Sequence, residues 1–183
     1  MQQHIRPDTT DVFIYYSGYG ITDIKTKHPY LIPSEYTFDK KEIMKECYPV
    51  ELLLRNVTDL NPRSVTIILD TCFAMDTDPI DSGITSEFLS SANGNFAAIV
   101  AASPGETANR YHEFMHGLFT WRFVTSLNET LAAKNTKLTA GELFEMLTGG
   151  NKGISSMSAN IFNGKAQHPQ FFGNPEQVIL EVK

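Results

Sequence analysis

Two short segments of the chain hold side chains able to do chemistry together. Ser17-Gly18-Tyr19-Gly20 brackets a phenol with glycines, and glycine lets a backbone approach a ligand closely and aim its amides at it. Asp70-Thr71-Cys72-Phe73-Ala74 places a carboxylate two residues before a thiol. The thiolate of a cysteine is a nucleophile. Read singly, Cys72 suits a small core position as well as a nucleophile, and one Gly-x-Gly is a weak phosphate loop. Asp76, Asp78 and Asp81 alternate beyond Cys72. Such spacing offers hard oxygen ligands to a cation, but Pro79 interrupts it and a solvated acidic loop is the commoner explanation.

The histidines add a further set of expectations. His112 and His116 lie four apart, a spacing that would put both on one helical face, yet Glu113-Phe114-Met115 between them makes no metal-peptidase motif. A surface role is expected for both, as for His4 and His28. His168, in a loop near the end of the chain, is the first to compare with Cys72.

Three apolar runs must position these segments: Val12 to Tyr16, Val65 to Leu69 and Phe96 to Ala102. Their β-branched and aromatic residues, without polar alternation, predict parallel strands covered on both faces. Both chemical segments directly follow such a run, where an α/β sheet carries its site loops. Val178 to Val182 is a candidate further strand. Leu53, Val57 and Leu60 predict a helix ending before Pro62, and Phe119, Phe123, Leu127 and Leu131 a longer one after Gly117. Thr139 and Glu142 have capping-box spacing ahead of Leu143, Phe144, Met146 and Leu147, with Gly149-Gly150 as the stop. The stretch from 149 to 164 reads as a long loop. One α/β domain over 1–183 accounts for the pattern.

The ordered set of segments resembles the caspase-like cysteine peptidases, above all their metacaspase and orthocaspase branch. In that family the first of these strands ends in Ser-Gly-His-Gly and the second in Asp-x-Cys, against Ser17-Gly18-Tyr19-Gly20 and Asp70-Thr71-Cys72 here. Tyr30-Leu31-Ile32-Pro33-Ser34-Glu35, Ala101-Ala102-Ser103 with Glu106 and Ala108, Gly117-Leu118-Phe119-Thr120 and Gln167-His168-Pro169 follow in family order. The resemblance implies a three-layer sandwich with a mostly parallel sheet flanked by helices. It places Cys72 at the nucleophile position, with its amide and that of Gly20 as oxyanion donors, and Asp70 with Ser17 in a pocket for a basic side chain. It requires no cofactor, and it implies calcium at Asp76, Asp78, Asp81 and Glu35 as an option.

The sequence departs from that family at two places. Tyr19 stands where the family has its catalytic histidine, and a phenol is neutral at neutral pH, so it donates a hydrogen bond but takes no proton from a thiol. The first two strand–helix units of the family are also missing ahead of Asp11, which would leave the strand at 12–16 on an open sheet edge. A partner chain or a homodimer is expected to cover it.

Composition narrows the classes. A net charge of −6 with scattered basic residues argues against nucleic acid. No apolar stretch approaches the roughly eighteen residues of a membrane span, and the N-terminus lacks a signal-peptide pattern. Two cysteines, read as free thiols, suit a reducing compartment, so a cytoplasmic location is expected. Three readings follow. The first is a pseudopeptidase or strongly impaired cysteine endopeptidase that acts by binding peptides or a partner. The second is an active endopeptidase cleaving after Arg or Lys with Cys72 as nucleophile. The third is an unrelated small-molecule-binding α/β module.

Overall fold

The computed structural model describes residues 5–23, 25–35, 43–73, 84, 95–111, 115–133 and 137–181, with 43 and 44 described by backbone alone. Strand β5 (Ser64–Asp70) is buried along its whole length, as its unbroken Val-Thr-Ile-Ile-Leu run demands. Strand β1 (Asp11–Ser17) lies parallel on one side of it and β6 (Phe96–Val100) parallel on the other, while β10 (Gln170–Gly173) adds antiparallel to β6. Successive strand residues face opposite sides of a sheet. Val65, Ile67 and Leu69 therefore meet Val50, Leu53, Leu54 and Val57 of helix α2 (Val50–Thr58) on one face. On the other face Ile68 and Ile99 meet Leu118, Phe119 and Phe123 of α3 (Leu118–Ala132), with Leu143 and Leu147 of α4 (Ala140–Thr148) and Ile154 of α5 (Ile154–Ile161). The result is a sheet between two helical layers, each buried Leu, Ile or Phe contributing roughly 1.5–3 kcal/mol.

Smaller elements serve the sheet's rim. Strands β2 (Gly20–Thr22), β3 (Pro29–Leu31) and β4 (Tyr48–Pro49) form an antiparallel sheet that continues from the loop after β1, and α1 (Ile43–Glu46) leads into β4. Strands β7 (Arg110–Tyr111) and β8 (His116–Gly117) pair as a short antiparallel ribbon directly before α3. Strand β9 (Lys137–Thr139) pairs with β11 (Val178–Glu181).

Two expectations are corrected here, and two strands find their places. Strand β1 is not covered on both faces: Val12, Ile14 and Tyr16 pack on the α2 side, but Phe13 and Tyr15 remain 51% and 43% exposed. It is the outer strand of the described sheet, and the α3 side meets it chiefly through Phe123, whose ring stacks 6.5 Å from Phe13 and 6.3 Å from Tyr15. The run from Val178 is a strand, as expected, and it pairs in the β9 ribbon outside the central sheet. The stretch 149–164 is not a loop, because it holds a 3-10 turn at Gly150–Lys152 and helix α5. The buried face of α5 is Ile154 and Ser158, and the Ser158 hydroxyl is satisfied by Asn109 and Lys165, which allows a polar residue in the core. Finally, β10 goes unforeseen, because Gln170-Phe171-Phe172-Gly173 is short and none of its residues is fully buried.

The capping box at α4 forms as its spacing demands: Thr139 Oγ1 accepts from the Glu142 amide at 3.2 Å, and Glu142 Oε2 accepts from the Thr139 amide at 2.8 Å. Thr139→Ala should therefore lower the unfolding free energy by about 1 kcal/mol in urea titrations. An unchanged midpoint would mean that the cap does not carry the helix start in solution.

Candidate active site

The parallel register sets Ser17 of β1 beside Asp70 of β5, so the loops following both strands leave the sheet at the same edge. The Gly18 amide donates to the Asp70 carbonyl at 3.3 Å, and the Ala101 amide beyond β6 donates to the Leu69 carbonyl at 2.9 Å. Three strand ends thus surround one cleft of about 560 Å³, whose walls include Ser17, Gly18, Tyr19, Asp70, Cys72, Arg110, His116 and Thr120.

Each loop is held from beneath. The half-buried Tyr16 hydroxyl bridges the carbonyls of Tyr19 at 2.8 Å and Ile32 at 2.9 Å, fixing the turn at 17–20. A Cβ on Gly18 would sit 2.6 Å from that hydroxyl, so the turn needs glycine there. Gly20 packs against the Phe73 ring and the Cys72 carbonyl, and Thr22 Oγ1 donates to the Phe73 carbonyl at 3.2 Å. Gly20 is thus a neighbour of Cys72, although it does not line the cleft. The opposite wall, 107–110, is tied down by Glu106, whose carboxylate accepts from the Ser103 and His168 amides at 3.3 and 2.6 Å. Buried Gln167 also accepts from the Asn109 amide at 2.9 Å.

Asp70 joins the sheet to α3. It is buried, and Oδ2 accepts from the Thr120 amide at 3.2 Å and from the Thr120 hydroxyl. Thr120 is the third residue of α3, whose N-cap, Gly117, has no side chain to serve the free amides of the first turn. Asp70 supplies the missing acceptor from another element. A Cβ on residue 117 would fall on that carboxylate, so glycine is required. The Thr120 hydroxyl gives its proton to Asp70 and meets the Tyr15 hydroxyl at 2.6 Å, so Tyr15 is the donor there. Burial pushes the Asp70 carboxyl above the usual carboxylate range, outweighing the Thr120 bonds. Oδ1 has no partner among the described residues.

Cys72 is half-buried and a free thiol without a hydrogen bond among the described residues, and Cys47 is likewise a free thiol. Tyr19 is 70% exposed. Its phenol is not bonded to Cys72 or to any other described residue, and its carbonyl anchors the turn instead.

The remaining expected residues divide. Asp76, Asp78 and Asp81 lie outside the described residues, as do His4 and His112. Glu35 stands exposed in a turn, and among the described residues no three His, Cys, Asp or Glu side chains cluster for a metal. His116 is not on a helix but in β8, paired opposite Tyr111, because the β7–β8 ribbon occupies that part of the chain. It is exposed, as expected, and the surface it lies on is the wall of the cleft. His168 is not in the cleft wall, and its Nδ1 lies 2.5 Å from Glu106 Oε1. His28 lies 3.6 Å from Glu51. Sequence reasoning missed Tyr16, Arg110 and the role of Thr120. The last was detectable, since a helix starting on glycine needs an acceptor from elsewhere. A larger cavity of about 780 Å³ between α3 and α4 is lined by both signs of charge but holds neither thiol nor imidazole.

A sequence profile of the caspase domain matches residues 1–178. The chain belongs to the caspase-domain family. The mixed, mostly parallel sheet between helices is the caspase-like α/β fold, as the resemblance implied. A search of curated proteins finds no match. No helix among the described residues is long and apolar enough to cross a membrane.

Asp70 yields a pH prediction. A carboxyl held above its unfolded value binds its proton more tightly when folded, so its ionisation costs stability. That cost is absent below the ordinary value of 3.8 and grows as pH rises from there through the folded value. The unfolding free energy of Asp70→Asn relative to wild type should therefore shift in the variant's favour as pH rises from the ordinary carboxyl value of 3.8 through the folded value. A pH-independent difference would contradict the buried carboxyl.

Proposed function

We propose that this caspase-family domain is of the metacaspase and orthocaspase type, with Tyr19 at the catalytic-histidine position, and that it is a strongly impaired cysteine endopeptidase that binds peptides bearing Arg or Lys. The observation that carries the reading is the gathering of Ser17, Tyr19, Asp70 and Cys72 around one cleft. Asp70 Oδ1, without a hydrogen-bond partner among the described residues, can meet a cation, and a guanidinium or ammonium brought against the carboxyl would draw it into its charged form. Ser17 beside it is exposed and small enough to leave room. Cys72 is the nucleophile, and its own amide with that of Gly20 would receive the oxyanion. Tyr19 is the impairment. A cysteine thiol is mostly protonated at neutral pH, and losing positioned acid–base help lowers turnover by about 10²–10⁴-fold. Calcium plays no step in this mechanism.

The test is hydrolysis of fluorogenic peptides with Arg, Lys or Asp before the reporter, with and without calcium. Wild type should turn over Arg and Lys peptides slowly, Cys72→Ala should abolish turnover, and Tyr19→His should raise kcat by about 10²-fold or more. Preference for Asp peptides, or turnover that survives Cys72→Ala, would overturn the reading.

A further inference from the structure

The cleft that lacks a histidine at position 19 contains one from another element. His116 lines the same cavity as Cys72, and it is the sole imidazole to do so among the described residues. Its place is fixed on both sides. Its strand β8 pairs with β7 through Tyr111, and the next residue, Gly117, is packed so closely on Asp70 that no Cβ fits between them. Asp70 is two residues from Cys72 on the same strand end. The backbone of His116 is thereby held next to Asp70, at the strand end from which the nucleophile loop leaves β5, and its side chain lines the cleft. It is exposed to the cleft and makes no hydrogen bond or ion pair with any described residue, and the Cys72 thiol likewise has none. The other described imidazoles are placed elsewhere, His168 against Glu106 and His28 beside Glu51. Among the described residues, the titratable and charged groups sharing the cavity with His116 are Asp70 from β5, Arg110 from β7, Tyr15 from β1, and Tyr19 and Cys72 from the loops.

We propose that His116 is the proton acceptor for Cys72, directly or through one water, in place of the group that Tyr19 cannot supply; this rests on the peptidase reading above. In the first half-reaction the imidazole takes the thiol proton as sulfur bonds to the scissile carbonyl carbon, whose π pair moves to oxygen. When the carbonyl reforms, the C–N bond breaks and the leaving amine takes the proton from the imidazolium. In the second half, His116 takes a proton from water as the hydroxide oxygen attacks the thioester. The departing sulfur recovers that proton, so peptide plus water gives acid plus amine with no other reactant.

The test reads the thiol before it reads turnover. Iodoacetamide alkylation of Cys72, located by peptide mass spectrometry, is followed across pH for wild type, His116→Gln and His116→Asn, with buried Cys47 as the internal comparison. His116→Gln and His116→Asn should both slow Cys72 alkylation at neutral pH by about tenfold or more and change the shape of its pH profile. In peptide hydrolysis His116→Gln should lower kcat by about 10²-fold with KM little changed. Superimposable alkylation profiles would overturn the proposal. The double variant Tyr19→His with His116→Gln guards against a collapsed cleft. Recovery of turnover shows that the cleft is intact and that a proton acceptor was what it lacked, whereas failure to recover where Tyr19→His alone is active makes His116 structural and overturns the proposal. If no variant hydrolyses peptide but the alkylation profiles separate as expected, the assignment of His116 stands and the peptidase reading falls.

Discussion

The bond between the Asp70 carboxylate and the first turn of α3 organises this molecule. Strand β5 delivers a carboxyl to the sheet's edge in a nearly dry position, and Thr120 holds it with an amide and a hydroxyl. The arrangement closes two accounts at once. The helix gains an acceptor for an amide that its glycine N-cap cannot serve, and the carboxyl gains donors that offset part of its desolvation. Because Cys72 follows two residues later, the position of the thiol relative to α3 is set by the same bond. Gly117 is required by close approach, and with it the adjacent His116 is drawn to the cleft.

The cleft is a product of sheet register. Parallel pairing of β1 with β5 and of β5 with β6 brings three C-terminal strand ends to one edge, and side chains from below, Tyr16, Thr22 and Gln167, fix the loops that leave it. The floor is hydrogen-bonded, and three of the side chains facing the cleft are left without such bonds among the described residues. Cys72, His116 and Tyr19 make no polar side-chain bond among the described residues, while Asp70 keeps one oxygen free. A site whose framework is satisfied and whose reactive atoms are not is prepared for a ligand to supply the missing partners.

What the sequence disclosed follows from how locally each feature is encoded. The buried strands β5 and β6 were legible because a strand covered on both faces has little choice but continuous apolar residues, and the start of α4 was legible because a capping box is written in four consecutive residues. Tyr19, Asp70 and Cys72 were legible as neighbours through the order of motifs. Helix α5 was hidden because one of its buried positions is a serine whose partners, Asn109 and Lys165, lie elsewhere in the chain. The half exposure of β1 was hidden because Phe13 and Tyr15 are apolar whether or not a neighbour covers them. The placement of His116 was hidden because its spacing from His112 suited a helix, and the ribbon that overrides this depends on the pairing of Arg110 and Tyr111 with Gly117 and His116 and on the close approach of Gly117 to Asp70.

The central claim is that the cleft accepts a basic side chain beside Cys72, and covalent labelling tests it without requiring turnover. Two peptidyl chloromethyl ketones, identical except for Arg or Asp next to the warhead, are reacted with the protein and the modified residue is mapped by mass spectrometry. The account predicts labelling at Cys72, sparing Cys47, with the Arg reagent reacting faster and losing that advantage in Asp70→Asn. Equal rates for the two reagents, or faster labelling by the Asp reagent, would contradict it.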